Sequence, residues 1–228
     1  MTSFSPEYGE TLTPFLRPLI KRYAEHSWWP GASGFEIAVS AILVQNTAWA
    51  NAQKAVESLR RCNSLDPTKV LQLSSCELES LIRSSGTFRV KARRLVELAR
   101  WWAEHAHTGL DGRNEASTYA ESLRRVNGVG PETADAIAVF AFDEARFIAD
   151  AYARRILSRA GFFDERIRYP QAQRWVHERL SLTPKLARDV HAALVEHAKV
   201  TCKKVPKCAA CIVRRDCEHG RLFNRPDD

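Results

Sequence analysis

Val126-Asn127-Gly128-Val129-Gly130-Pro131-Glu132-Thr133-Ala134 reads as a glycine-gated turn that ends one helix and opens the next. Gly128 and Gly130 flank a single apolar residue, and glycine both turns through positive φ and lets another molecule approach its backbone. Pro131 suits the first position of a helix, whose unpaired N–H groups and positive dipole end would face the same spot. The segment is therefore a candidate phosphate grip that binds without reading bases. An ordinary tight helix-helix turn is the competing reading of Gly128-Val129-Gly130 taken alone.

Outward from this turn the chain reads as helix almost throughout. Phe35, Val39, Ile42 and Leu43 follow helical spacing, as do Leu95, Leu98, Ala99 and Trp102, and again Leu186, Val190, Leu194 and Val195. Alternating strand patterns are scarce. Thr13-Pro14, Asp66-Pro67 and Thr183-Pro184 look like helix starts, with a polar cap before a first-turn proline. Asp150 sits where a cap belongs, ahead of Ala151-Tyr152-Ala153-Arg154-Arg155-Ile156, and Gly161 is the matching stop. Gly86 breaks two helical patterns. The basic run after it, Arg89, Lys91, Arg93 and Arg94, is either a second backbone contact or a solvated helix face.

The 228 residues are 45% hydrophobic and 27% charged, enough to bury a full core. Lys plus Arg number 34 against 27 Asp plus Glu, a formal net charge of +7, with a pI near 9.3. That balance favours a polyanionic partner. No apolar run approaches the roughly 20 residues that would span a bilayer, and no charged-then-apolar leader is read, so a cytosolic or nucleoid location is expected.

Cys202, Cys208, Cys211 and Cys217 are spaced C-x5-C-x2-C-x5-C. Four thiols so close together are a ligand set. Disulfides would suit a small secreted domain, which this chain does not resemble. Zinc also uses C-x2-C pairs, but four ligands packed into one short loop favour an iron–sulfur cluster, and zinc stays as the alternative. Cys62 and Cys76 lack such company and read as small buried apolar residues.

Gly128-Val129-Gly130, Asp150 and the four-cysteine loop together resemble the helix-hairpin-helix DNA glycosylases of the endonuclease III superfamily. Trp28-Trp29-Pro30, Phe35-Glu36 and Leu43-Val44-Gln45-Asn46-Thr47 look most like the 3-methyladenine DNA glycosylase branch. The resemblance implies an all-α, two-lobed glycosylase fold, with a helical barrel over 28–135 ending in the hairpin. Residues 1–27 and 136–228 would form a discontinuous iron–sulfur domain. Two departures stand out. The first interval of the cysteine loop is five residues where the family usually has six. Bifunctional members carry a lysine two residues after the second hairpin glycine, and this chain has Glu132. An amine there attacks the sugar to form a Schiff base, which a carboxylate does not do.

The expected activity is thus monofunctional removal of alkylated purines such as 3-methyladenine or 7-methylguanine from double-stranded DNA, by a monomer. The alternatives are a glycosylase for oxidised or mismatched bases, with Glu132 assisting the leaving base, and a non-catalytic protein that binds damaged DNA. By resemblance, Asp150, at the matching interval of 150 − 130 = 20 residues from Gly130, is the catalytic carboxylate. Glu132 joins it in the catalytic set. Trp28, Trp29 and Trp49 form the base pocket, Gln45 the duplex wedge, and Gly128, Gly130 and Thr133 the backbone grip. Cys202, Cys208, Cys211 and Cys217 hold a [4Fe-4S] cluster. Asp143 is the competing carboxylate and reads as a surface turn residue, whereas Trp101 and Trp102 read as packing.

Overall fold

A computed structural model describes residues 8–23, 29–106 and 118–223, with side chains from residue 12 onward. Its helices in chain order are α1 Tyr8–Tyr23, α2 Gly34–Leu43, α3 Trp49–Arg61, α4 Pro67–Gln72, α5 Ser75–Leu81, α6 Phe88–His105, α7 Tyr119–Leu123, α8 Pro131–Ala141, α9 Ala151–Ala160, α10 Tyr169–His177, α11 Pro184–Val200 and α12 Glu218–Leu222. No strand occurs among the described residues, and no described helix is long and apolar enough to cross a membrane. The chain divides into two compact units, one of residues 29–144 and one of 1–28 with 145–228.

In the unit of 29–144, α2 is buried along most of its length and is wrapped by α3, α6 and α8. Ser33 caps it, accepting from the Glu36 amide, and the buried Glu36 carboxylate pairs with Arg60. Phe35, Val39, Ile42 and Leu43 meet Leu59, Leu78, Leu95, Leu98 and Ile137 in one core. Trp101 and Trp102 belong to that core, as the sequence suggested.

Lys91, expected among the solvent-facing basic residues of α6, instead points inward and is 1% exposed. Its ammonium donates to the Leu43 carbonyl at 2.8 Å and to the Ser85 carbonyl, so it serves the C-terminal ends of α2 and of the short turn before Gly86. Burial, reinforced by Arg94, pushes its pKa down. Lys91→Met is expected to leave both carbonyls without that donor and to cost about 2–3 kcal/mol, measurable by urea denaturation.

In the other unit, Leu12, Phe15, Leu16 and Leu19 of α1 pack on α11, with Ile156, Leu157, Trp175, Val190 and Leu194 completing the core. Thr13-Pro14 does not start α1, which begins at Tyr8 and carries Pro14 and Pro18 inside it. Each proline forfeits an internal hydrogen bond. Burial of the apolar face keeps the segment helical despite that loss. Asp66-Pro67 and Thr183-Pro184 do start helices, with Asp66 and Thr183 as side-chain caps.

His191 on α11 is buried, and burial, aided by Lys199, pushes its pKa from 6.5 down to about 3. The unfolded chain therefore takes up this proton first as pH falls below 6.5, and stability drops by about 1.4 kcal/mol per pH unit until about pH 3. His191→Leu is expected to flatten that acid limb in pH-dependent melting.

Candidate functional site

The hairpin joins α7 to α8 through backbone bonds from Val126 N–H to Leu123 O and Val129 N–H to Val126 O, both 3.0 Å. Val126 and Val129 are buried and anchor the turn to the core, while Asn127 and Gly130 face solvent. The two glycines differ. Gly128 holds φ +86°, and a Cβ there would overlap Cγ, Cδ and Nε of Arg94. Gly130 caps α8 with an ordinary extended backbone, φ −78° and ψ 172°, and a Cβ there would meet nothing within 4 Å. One glycine makes the turn, and the other leaves open ground beside the helix N-terminus. Glu132 is exposed on the first turn of α8, and Thr133 is half-buried beside it.

Gln45 lies in the turn after α2 and reaches this hairpin. Its Nε2 donates to Thr133 Oγ1 at 3.0 Å and to the Gly128 carbonyl at 3.4 Å, and its Oε1 accepts from Arg94 Nη1. The expected wedge and the expected grip therefore touch.

Of the three expected pocket tryptophans, Trp28 lies outside the described residues. Trp29 and Trp49 do come together, ring centroids 5.8 Å apart and edge-on at 90°. Trp29 also meets Phe140 of α8 at 5.1 Å, and its Nε1 donates to Ser40 Oγ at 2.7 Å, which satisfies the indole N–H of a half-buried ring. Phe140 was not singled out in the sequence. Its one signal is a lone aromatic in the alanine-rich α8.

In the second unit, Asp150 is 7% exposed and caps α9, its Oδ1 accepting from the Ala153 amide at 2.7 Å. The approach, Phe147-Ile148-Ala149, is buried and clamped by α10. His177 Nε2 accepts from Phe147 N–H at 3.1 Å, and Gln173 Nε2 donates to the Phe147 carbonyl at 2.7 Å. Asp143 is exposed at φ +55°, a turn residue as read. Gly161 ends α9 in the left-handed conformation.

The four loop cysteines line one small cavity together with Phe15, Ile156, His197 and Val213. Arg155 donates twice to the Cys202 carbonyl, at 3.1 and 2.9 Å. Arg159 reaches Cys202 Sγ at 3.4 Å and the Lys203 carbonyl at 2.6 Å. Burial, then the neighbouring cysteines, push the Cys211 and Cys217 thiols up; a bound cationic centre would reverse this. Among the described residues no three His, Cys, Asp or Glu side chains are gathered to hold a single ion. Four thiols around one shared cavity are a donor set of the kind that holds a metal centre. Cys62 and Cys76, expected to be buried, are exposed. Both sit at helix ends, Cys62 capping the end of α3 and Cys76 in the first turn of α5.

The sequence model of the HhH-GPD superfamily, described as base excision DNA repair proteins, matches residues 39–181. The chain belongs to that superfamily. It is 32% identical over 211 residues to a Methanocaldococcus jannaschii protein provisionally named a DNA repair glycosylase, covering 91% of this chain and 96% of the relative. It is 28% identical to endonuclease III of Thermotoga maritima, covering 90% and 91%. Among solved structures, a trapped endonuclease III–DNA covalent intermediate superposes with a TM-score of 0.80 at 20% identity, covering 99% and 100%, which shows the all-helical fold. The 3-methyladenine DNA glycosylase of H. pylori bound to 1,N6-ethenoadenine gives 0.67 at 26% identity, covering 84% of this chain and 96% of that one. As a superfamily member the chain is a base excision repair DNA glycosylase.

Proposed function

We propose that this glycosylase is monofunctional and removes alkylated purines, 3-methyladenine above all and 7-methylguanine with it, from duplex DNA. The observation that carries the reading is the aromatic group of Trp29, Trp49 and Phe140. An extruded base needs flat surfaces to stack on, and a cationic methylpurine gains further attraction over a tryptophan face. Likeness to the H. pylori 3-methyladenine DNA glycosylase supports the same choice.

Breaking the N-glycosidic bond builds positive charge on the sugar. The Asp150 carboxylate stabilises that charge and orients the attacking water. A methylated purine leaves with its bond already weakened, so little acid assistance is required. Glu132 adds negative charge that favours electron-poor bases over ordinary purines. The hairpin glycines and Thr133 hold a phosphate, and Gln45 fills the gap left by the extruded nucleotide. Cys202, Cys208, Cys211 and Cys217 hold a [4Fe-4S] cluster, which supplies structural closure of the loop bearing Lys203, Lys204 and Lys207. The protein acts as a monomer in the cytosol or nucleoid.

Purified, iron-replete protein incubated with methylated genomic DNA tests this reading, with released bases separated by chromatography. Release of 3-methyladenine or 7-methylguanine supports it. A DNA-binding preparation that releases neither overturns it in favour of oxidised or mismatched bases. With Glu132 in place of the lysine, borohydride added during turnover is expected to trap no covalent protein–DNA adduct. A borohydride-stable band on a denaturing gel would refute the monofunctional assignment.

A further inference from the structure

We propose that Arg94 is a positioning residue that fixes Gln45 on the hairpin, so that gripping a phosphate and wedging the duplex are one event. The inference rests on the reading of Gln45 as the wedge.

A guanidinium only donates, so the Arg94 bond assigns Oε1 to the Arg94 side of the Gln45 amide and turns Nε2 toward the hairpin. There the amide meets the Thr133 hydroxyl and the Gly128 carbonyl. All three partners converge from different segments: Arg94 from α6, Gly128 from the turn, and Thr133 from the first turn of α8. Gln45 is otherwise a long, three-torsion side chain on a turn, followed by Asn46 at φ +52°. Such a side chain loses considerable rotamer freedom when it is ordered. Here its ordering is supplied in the free protein, which is preorganisation of the inserting group.

Arg94 cannot be separated from the turn. Its stem occupies the position where a Cβ of residue 128 would stand, so the missing side chain of Gly128 is what admits it. Thr133 accepts from Gln45 and keeps its own hydrogen for a phosphate oxygen. A phosphate on the hairpin polarises that hydroxyl and strengthens its hold on Gln45 through the same chain of bonds. The distance from gripped phosphate to wedge is thereby set by side chains of one unit.

The test uses full-length protein and a duplex carrying 2-aminopurine at the target position, whose fluorescence rises when it unstacks. Affinity for an undamaged duplex is measured in parallel by anisotropy. Arg94→Met retains the packing stem beside Gly128 and removes the donor. It is expected to lower the unstacked fraction in the bound state about tenfold, well beyond its loss of undamaged-duplex affinity. Arg94→Lys still donates to Oε1 and is expected to recover most of the signal. Thr133→Val is expected to weaken unstacking in the same manner, and gives a second route should Arg94→Met prove unstable. Gln45→Ala is expected to lose as much as Arg94→Met, with the double variant no worse than either.

Additive losses in the double variant, or equal loss of unstacking and of undamaged-duplex affinity in Arg94→Met, would make Arg94 a simple phosphate cation and overturn the positioning role alone. Unchanged unstacking in Gln45→Ala would overturn the wedge reading and the positioning role with it.

Discussion

Asp150→Asn is expected to reduce single-turnover base release at least about a thousandfold while leaving affinity for duplex DNA and the melting temperature essentially unchanged. The argument rests on what the substitution keeps. Asn caps a helix about as well as Asp, so the bond from the Ala153 amide to the residue-150 side chain survives. The clamp on Phe147 by His177 and Gln173 is untouched, because it acts on backbone atoms. What disappears is one negative charge where the sugar turns positive. Single-turnover kinetics on a methylated duplex, with calorimetric melting and anisotropy alongside, isolates that charge. Release at the wild-type rate would reduce Asp150 to a helix cap. A fall in melting temperature together with activity would assign the residue to folding.

Gly128→Ala and Gly130→Ala are expected to fail in different ways. At residue 128 the backbone stands at φ +86°, and the added methyl group collides with Arg94. Strain and displacement together should cost about 2 kcal/mol or more of stability, and the Gln45 contacts should be lost with them. At residue 130 the backbone is ordinary and the space is open, so stability should stay within about 0.5 kcal/mol. The methyl group instead occupies the ground on which a phosphate would rest, and affinity for duplex DNA should fall about tenfold. Urea denaturation and anisotropy separate the two outcomes. Wild-type affinity in Gly130→Ala would remove the hairpin from the DNA contact.

The parts of the fold that were legible in the sequence are those where local backbone chemistry decides. Pro131 at the first position of α8, Asp66 and Thr183 as caps, and the pair of Asp150 and Gly161 bounding α9 all follow from rules that need only neighbouring residues. Thr13-Pro14 misled because tertiary burial of Leu12, Phe15, Leu16 and Leu19 outweighs the local stop signal. Lys91 misled because charge predicts exposure only until a buried pair of carbonyls needs a donor. The candidate site was legible as residue types on recognisable motifs. Its connections were not, since Gln45 meets Arg94 and Thr133 across separations of 49 and 88 residues, and Phe140 joins Trp29 from a helix that carries no aromatic pattern. Spacing along a chain does not encode such meetings.

The pairing of α1 with α11 also constrains how the protein is made. From Tyr23 to Pro184 is 184 − 23 = 161 residues, so on a ribosome α1 waits about 8–30 s for the helix that covers it. For most of that interval residues 29–144 emerge and assemble their own core, while Leu12, Phe15, Leu16 and Leu19 wait for partners that begin only at Phe147 and are completed by α11. The two internal prolines, which weaken α1 as a free-standing helix, leave the waiting segment as a flexible tether rather than a rigid apolar rod. Slow elongation downstream of residue 144 would lengthen the wait, and with it the time for which the apolar face of α1 depends on chaperone shielding.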